Sequence, residues 1–160
     1  MNTIVAYDLH NMYTLPLNRV GDKGAYLGAV IDALSPDVAP VLVSPSMSGS
    51  FVVPFLADTP EKVATPFNMF GNLLCMQVSG WVPVAPVSTS QGRAFFPSLS
   101  VPTMIVYGEL DHSLGSSSAS DLKLIPTSTV PQVLPGAKHP AYLDQPDLWH
   151  KLLINFVRLT

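Results

Sequence analysis

The chain has 160 residues, a formal net charge of −3, 48% hydrophobic residues and only 12% charged residues. Its length suits one compact domain with a substantial core, and its composition excludes an intrinsically disordered chain. The acidic balance, with an isoelectric point near 5.7, offers no basic surface and predicts no direct binding to nucleic acid.

Cysteine usage and hydropathy indicate where such a chain would reside. The single cysteine, Cys75, cannot form an internal disulfide, and we expect it to be structural. The apolar run 51–57 is too short to span a membrane and is interrupted by Pro54. The first residues lack the basic leader and long apolar core of a secretion signal. These features predict a cytoplasmic location without a membrane span.

The first half of the chain is predicted to alternate strands with helices. Asp22 is placed to cap the first helix, because its side chain can accept a backbone N–H of the first turn. The second helix contains Pro54, which is expected to end or kink it. In chain order, the predicted elements are a strand at 3–7, a helix at 22–34, a strand at 40–43 and a helix at 47–56.

The second half continues the alternation. Pro83 and Pro86 predict that the next strand lies at a sheet edge or is irregular. Residues 63–77 lack a clean periodicity and are predicted to be an insertion without a catalytic role, the alternative being a lid over the site. In chain order, the predicted elements are a strand at 81–87, a buried strand at 103–107, a helix at 116–125, a strand at 129–134 and an amphipathic helix at 147–159.

This alternation predicts an α/β fold, in which a mostly parallel sheet is covered by helices on both faces. Residues 1–160 are expected to form a single domain, and no internal repeat is present. In such sheets, ligands bind outside the carboxyl ends of the strands. Ser46, Asp111 and His139 each follow a predicted strand, so we expect all three at this edge.

The segment 41–50 has the pattern of a nucleophile elbow, a tight strand-to-helix turn that exposes a serine hydroxyl. An apolar run ends in small residues around Ser46, and Gly49 follows. The usual pattern is Gly-x-Ser-x-Gly, because the crowded turn tolerates only small neighbours. Here Ser44 and Ser48 stand at the two glycine positions, so the motif is loose, and Ser46 is the candidate nucleophile.

An acid and a histidine follow in the order that such a nucleophile requires. A serine hydroxyl needs a base to remove its proton, and an imidazole oriented by a carboxylate supplies one. Hydrolases with this elbow carry the three groups in the chain order serine, acid, histidine. Asp111 follows the predicted strand at 103–107, and His139 follows the one at 129–134. The sequence therefore predicts a catalytic triad of Ser46, Asp111 and His139.

Other titratable residues fit these roles less well. Glu109 is the alternative acid, two residues closer to its strand. His112 adjoins Asp111, and neighbouring residues at a strand end diverge, so it is a poor partner for that carboxylate. Asp144 and Asp147 are predicted to cap the final helix. The chain has no metal-ligand spacing, phosphate-binding glycine loop or dinucleotide fingerprint, so no cofactor is predicted.

With these residues, the chain is similar to the α/β-hydrolase superfamily. Within it, the chain resembles the subfamily of α/β-hydrolase domain-containing protein 14, which has A and B types. The Ser-Pro-Ser-Met-Ser-Gly elbow is unusual and makes the match specific, and residues 107–112 are closer to the A type. The segments that carry the resemblance are residues 41–49, 81–86, 106–112 and 136–143.

The resemblance implies a serine hydrolase with Ser46 as nucleophile, Asp111 as acid and His139 as base. It implies substrates with small acyl groups, as esters or acylated amines, which for the B type include acetyl-lysine. The B type is cytosolic and nuclear and is associated with a protein partner in transcription initiation. The A type has an N-terminal membrane anchor, which we do not expect in this chain.

The resemblance also implies that part of the family fold is missing. Family members begin with further strands and a His-Gly loop that donates one N–H to the oxyanion hole. We expect this chain to be a partial domain that lacks the first strands and retains the Met47 N–H as one oxyanion donor. Loss of one donor costs about 10²–10³-fold in rate. The alternative is therefore a catalytically impaired fragment that acts as an interaction protein.

Overall fold

The computed structural model describes residues 22–34, 39–58, 78–86 and 90–160. Three predictions lie outside the described residues: the strand at 3–7, the insertion at 63–77 and the role of Cys75. In chain order, the elements are α1 (Lys23–Leu34), β1 (Val41–Pro45), a 3₁₀ turn (Ser46–Ser48), α2 (Gly49–Asp58), β2 (Gly80–Val84), α3 (Ser90–Phe95), a 3₁₀ turn (Phe96–Ser98), β3 (Val106–Gly108), α4 (Gly115–Leu122), β4 (Gln132–Leu134), α5 (Ala141–Asp144) and α6 (Pro146–Leu159).

The four strands form one parallel sheet in the order β1-β2-β3-β4. Each strand pairs with the next one along the chain, with Val43 opposite Val82 and Tyr107 opposite Val133. Because all four strands run in the same direction, the segments that follow them leave the sheet at one edge. This arrangement confirms the predicted α/β sheet and brings the ends of β1, β3 and β4 to the same side.

β2 is an interior strand, so the predicted edge position is wrong, whereas its pairing with β3 at Val84 alone fits the alternative of an irregular strand. It lies between β1 and β3 and is buried along its whole length. The Trp81 N–H donates to Pro102 O at 2.9 Å, and the Ala85 N–H donates to Val106 O at 3.1 Å. Alternate residues of β2 therefore face β3, and Pro83 lies midway between these two donors. The sheet accommodates the proline as one absent hydrogen bond on that side.

β3 is shorter than predicted because its pairing is irregular on both sides. Pro83 lacks a donor on the β2 side, and the chain leading into β4 has one extra residue between the pairs Thr103–Ser128 and Val106–Gln132. The run 103–107 predicts a continuous strand, but the regular strand begins only at Val106. Before it, Thr103 forms an isolated bridge with Trp81. Because Pro83 has no N–H, the ladder between β2 and this stretch is interrupted, and regular pairing resumes only at Val106.

Helices cover both faces of the sheet, as predicted. One apolar cluster joins α1, α2 and α4 to the face that carries Trp81 and Ile105. A second cluster joins α5 and α6 to the opposite face, which carries Val82 and Val106. Consecutive strand residues thus point to opposite sides, and both sides are buried. Two-sided burial is the usual environment of an all-parallel sheet.

Helix α2 continues through Pro54 to Asp58, so the prediction that this proline ends the helix is wrong. An interior proline costs about 3 kcal/mol, because it removes one helical hydrogen bond and crowds the preceding turn. The two residues that follow, Phe55 and Leu56, are completely buried. Burial of each such side chain contributes about 1.5–3 kcal/mol, which offsets the cost of the proline.

The cap predicted for α1 is confirmed, whereas the cap predicted for α6 is wrong. Asp22 Oδ1 accepts a backbone N–H three residues along at 2.8 Å, which confirms it as the cap of α1. The prediction that Asp144 caps α6 is wrong, because Gln145 holds the N-cap position without a side-chain bond. Asp144 Oδ2 instead accepts the Lys138 N–H at 2.8 Å. Asp147 lies in the first turn of α6, where its negative charge interacts favourably with the helix dipole.

Two glycines of α1 allow a direct test of how closely this helix packs on α2. A Cβ at Gly24 would lie 2.8 Å from the Phe55 backbone nitrogen, whereas one at Gly28 would lie 3.5 Å from the Phe55 ring. Gly24→Ala is therefore expected to lower the free energy of unfolding by about 1–3 kcal/mol, because the helices must separate. Gly28→Ala is the matched control, expected to stay within about 1 kcal/mol of the parent. Urea unfolding measures both, and equal losses would contradict the packing argument.

Candidate active site

Ser46 occupies a sharp turn between β1 and α2. β1 ends at Pro45, the 3₁₀ turn follows at once, and α2 begins at Gly49. Ser46 has a φ of 51°, in the left-handed region that residues other than glycine rarely adopt. Such a conformation costs about 1–3 kcal/mol and persists only where surrounding contacts enforce it. The strand, strained turn and helix have the geometry expected of a nucleophile elbow.

Hydrogen bonds account for the two serines that replace the glycines of the usual motif. Ser44 is 1% exposed, and its Oγ accepts the Trp81 Nε1–H at 2.8 Å. Ser48 Oγ donates to Pro45 O at 2.6 Å, across the turn that contains Ser46. Both hydroxyls are therefore satisfied, and each one ties the elbow to its surroundings.

Gly49 provides the close backbone approach that the turn requires. A Cβ at this position would lie 2.9 Å from Pro86 Cβ, so α2 starts directly against the segment that follows β2. Ala85, next to Pro86, has a φ of 43°. Two non-glycine residues with positive φ, Ser46 and Ala85, thus follow neighbouring strands at the carboxyl edge of the sheet. Such strained positions cluster at functional sites.

Asp111 and His139 form a direct hydrogen bond at the same edge of the sheet. The distance between Asp111 Oδ2 and His139 Nδ1 is 2.8 Å. The side chain of Asp111 is 1% exposed, whereas that of His139 is 36% exposed. The carboxylate is therefore buried behind the imidazole, and the ring remains accessible from the other side.

The second oxygen of Asp111 is also fully used. Oδ1 accepts the Ser113 Oγ–H at 2.7 Å, the Ser113 N–H at 3.2 Å and the Leu114 N–H at 3.1 Å. Burial raises the pKa of this carboxyl, but the hydrogen bonds from His139, Ser113 and Leu114 and the charge of the imidazole outweigh it. The pKa consequently falls from 3.8 to about 2. Asp111 is an ionised carboxylate at neutral pH.

This pairing determines the tautomer of the imidazole. An ionised carboxylate can only accept hydrogen bonds, so the proton of neutral His139 resides on Nδ1, which faces Asp111. Nε2 then carries a lone pair and is free to accept a proton. This is the arrangement that a general base requires.

The loops that carry Asp111 and His139 are joined by backbone contacts. The Leu110 N–H donates to Ala137 O at 2.8 Å. A Cβ at Gly108 would collide with the carbonyl oxygens of Ala137 and Lys138, so only glycine allows this approach. The adjacent strands β3 and β4 and their loops thus hold the acid and the imidazole at a fixed separation.

Glu109, the alternative acid, serves a different purpose. Its Oε2 accepts the Gly136 N–H at 2.8 Å, at a turn where Gly136 has a φ of 67°. The carboxylate therefore binds the start of the histidine loop. Asp144 binds the same loop farther along, through the Lys138 N–H. Sequence reasoning missed both contacts, since each joins a side chain to a backbone group that only the folded loop places nearby.

The structure places the three predicted triad residues after β1, β3 and β4, and it pairs two of them. Asp111 bonds His139, whereas Ser46 Oγ forms no hydrogen bond to either among the residues that the structure describes. Met47, the predicted oxyanion donor, lies in the first turn after β1, where backbone N–H groups lack intrahelical partners.

An open cleft of about 520 Å³ adjoins the acid–histidine pair. Its lining residues are Leu110, Asp111, His112, Ser113, Lys138 and His139. Within the described ranges, no group of three or more histidine, cysteine, aspartate or glutamate side chains could hold a metal ion. No helix in those ranges is long and apolar enough to cross a membrane.

Known proteins are similar to this chain in sequence over most of its length. ABHD14B of Rattus norvegicus, named for a proposed protein-lysine deacylase activity, is 41% identical over 136 residues, which cover 84% of this chain and 56% of that protein. ABHD14A of Danio rerio is 39% identical over 123 residues, covering 74% of this chain and 38% of that protein. The chain thus spans about half the length of these relatives. Sequence identities to the A and B types overlap, so the closer resemblance to the A type stays a prediction.

Solved structures agree with these sequence relationships at the level of the fold. A CIB-like hydrolase from Thermoplasma acidophilum superposes with a TM-score of 0.70 at 19% identity, covering 86% of this chain and 59% of that one. MGS-MChE2, an α/β hydrolase from a lagoon-sediment metagenome, gives a TM-score of 0.71 at 17% identity, covering 92% and 74%. No family model matches the chain. The sequence relatives and the shared fold together show that the chain belongs to the α/β-hydrolase family that includes ABHD14A and ABHD14B.

Proposed function

We propose that this chain contributes the catalytic centre of a serine hydrolase that cleaves small acyl groups from esters or amines. Ser46 is the nucleophile, His139 the general base and Asp111 the residue that orients the imidazole. The observation that carries the proposal is the 2.8 Å hydrogen bond between buried Asp111 and His139. It supports a base with a free Nε2, at the sheet edge where Ser46 occupies a strained turn.

The reaction would proceed in two steps. His139 Nε2 removes the proton of Ser46 Oγ as this oxygen attacks the acyl carbon, and Asp111 stabilises the imidazolium. The imidazolium then protonates the leaving oxygen or nitrogen, and the acyl group remains on Ser46. Water, activated by the same imidazole, releases the acid and restores the serine. The Met47 N–H is the proposed donor to the oxyanion in both steps.

The proposed substrate follows from the name of a relative, and the proposed location and partner follow from the family resemblance alone. ABHD14B is named for a proposed protein-lysine deacylase activity. We therefore propose an acylated lysine as the amine substrate of this chain. By the same resemblance, we propose a cytosolic and nuclear location and a protein partner in transcription. These proposals concern the whole protein, of which the chain matches 56% in the rat relative.

A second candidate is an interaction protein that keeps the fold but not the activity. It is favoured by one observation: Val43 of β1, the first strand in the order of the sheet, is 42% exposed. Among the described residues β1 is an outer strand, and the backbone groups of an outer strand can pair with another chain. The two candidates differ in one measurable property, the reactivity of Ser46.

Substitution of the nucleophile tests the first candidate directly. Ser46→Ala is expected to abolish labelling by a fluorophosphonate probe, because the probe reacts only with an activated serine hydroxyl. Ser117→Ala, an exposed serine in α4, is the matched control and is expected to label like the parent. Gel fluorescence and mass spectrometry of the labelled peptide provide the measurement. Labelling that survives in Ser46→Ala would overturn the assignment, and no labelling of the parent would favour the interaction protein.

Substitution of the acid tests which carboxylate serves the imidazole. Asp111→Asn is expected to lower the labelling rate by about 10⁴-fold, because the amide would favour the wrong tautomer of His139. Glu109→Gln removes the alternative carboxylate and is expected to change the rate by less than about 10-fold, since Glu109 binds Gly136. Rate constants from a time course of labelling give the comparison. A larger loss in Glu109→Gln than in Asp111→Asn would reverse the assignment.

The lowered pKa of Asp111 also predicts how stability depends on pH. A carboxyl with a pKa near 2 in the folded chain and 3.8 in the unfolded chain contributes about 2 kcal/mol of stability above pH ~5. This contribution is lost as the pH falls from about 4 to about 2, because the unfolded chain then binds the proton more readily. Urea unfolding between pH 3 and pH 7 is expected to show a smaller slope in Asp111→Asn. Identical slopes in parent and variant would contradict the prediction.

A further inference from the structure

The cleft beside the acid–histidine pair contains two basic side chains that the proposed reaction does not use. Lys138 precedes His139, and His112 follows Asp111, and both line the cleft of about 520 Å³. Both are exposed. Neither side chain forms an ion pair or hydrogen bond with another side chain in the part of the chain that the structure describes. Both are therefore available to a ligand in the cleft.

The backbone of Lys138 is fixed, so its side chain extends from a rigid base. The Lys138 N–H donates to Asp144 Oδ2 at 2.8 Å. Its carbonyl oxygen lies against Gly108, so closely that no Cβ could stand between them. A cation on a fixed backbone loses less conformational freedom when it binds a ligand than one on a mobile loop.

The chain as a whole carries a charge of −3, and Lys138 is the exposed charged residue among those that line the cleft. The Asp111 carboxylate is 1% exposed and bonds His139, so little of it faces the cleft. Glu109 and Asp144 accept backbone N–H groups of the histidine loop and do not line the cleft. Among the residues that line the cleft, Lys138, His112 and Ser113 are exposed and polar, and His139 is partly exposed.

The position of the cleft indicates which half of a substrate would occupy it. The cleft borders His139 but not Ser46. In the proposed reaction, the imidazolium donates its proton to the leaving group, which must therefore lie beside His139. The acyl group, bonded to Ser46, lies on the other side of the reacting carbon.

We propose that Lys138 and His112 form a subsite for a negatively charged leaving group, so that the preferred substrates carry a carboxylate or phosphate on the alcohol or amine that departs. The subsite rests on the proposed serine-hydrolase function. A Lys ammonium binds a carboxylate or a phosphate through charge-assisted hydrogen bonds, which are about twice as strong as neutral ones. Leaving groups of equal size without charge leave these donors unpaired.

Matched esters test the subsite. Three acetyl esters with a phenol leaving oxygen are compared as substrates of the parent chain. The first is O-acetyl hydroxyphenylpropionate, the second is its primary amide, and the third is O-acetyl hydroxyphenethyl phosphate. The carboxylate is expected to exceed the amide in kcat/KM by about 10-fold, as a charge-assisted hydrogen bond would give. The phosphate arm shows which anion the subsite prefers. The preference is expected to shrink as the salt concentration rises from about 0.05 to about 0.5 M, because dissolved ions screen the attraction between exposed charges.

A pair of variants isolates the side chain. Lys138→Gln is expected to bring the carboxylate-to-amide ratio in kcat/KM close to one. Lys151→Gln removes an equal charge from an exposed position of α6 and is expected to keep the ratio. Equal rates for all three esters in the parent, or a preference that survives in Lys138→Gln, would overturn the subsite.

Binding of the free acid separates failure of the subsite from failure of the proposed function. If the parent hydrolyses no ester and Ser46 does not react with a fluorophosphonate, the serine-hydrolase function fails. Hydroxyphenylpropionate is then titrated against the parent, with the His112 and His139 ring protons observed by NMR. Shifts that appear in the parent, vanish in Lys138→Gln and persist in Lys151→Gln would support an anion subsite. No shift at millimolar acid would overturn it.

Discussion

A buried carboxylate is tolerated only when both of its oxygens are hydrogen-bonded, and Asp111 meets this constraint with four donors. Three of them come from Ser113 and Leu114, within three residues of the aspartate, and they occupy Oδ1. The fourth is His139, which takes Oδ2. The local turn thus leaves one oxygen, in one direction, for the imidazole. The tautomer of His139 follows from this pairing, and the low pKa of Asp111 follows from the pairing together with the bonds from Ser113 and Leu114.

The nucleophile is held by a different physical device, a strained backbone with contacts on every side. Ser46 adopts a left-handed conformation. The Ser44 hydroxyl accepts the indole N–H of Trp81 on β2, and the Ser48 hydroxyl donates to Pro45 O across the turn. In the usual motif, glycines relieve crowding at these two positions. Here the serines add hydrogen bonds instead, and Gly49 alone supplies the close approach to Pro86. The loose motif is thus compatible with a tightly held elbow.

Much of this architecture could be predicted, because strand ends and small-residue turns leave clear local signals. The order of Ser46, Asp111 and His139 along the chain follows from such signals. The interior position of β2 could not be predicted, because the effect of Pro83 depends on which neighbouring strand its missing N–H faces. The partner of Asp144 was likewise unpredictable, because only the folded loop brings the Lys138 N–H to it. Tertiary placement overrode local pattern in both cases.

The side-by-side order of the strands has a consequence for folding. Asp111 and His139 are separated by 28 residues, whereas the bond between Ser44 and Trp81 spans 37. Closing a shorter loop costs less entropy, and local contacts form sooner than distant ones. Between loops of these two lengths, however, the difference in closure entropy amounts to only about 0.3 kcal/mol. The serine half and the acid–imidazole half therefore close at nearly the same entropic cost, and since α2 and α4 share one apolar cluster, damage to either half would reach the other.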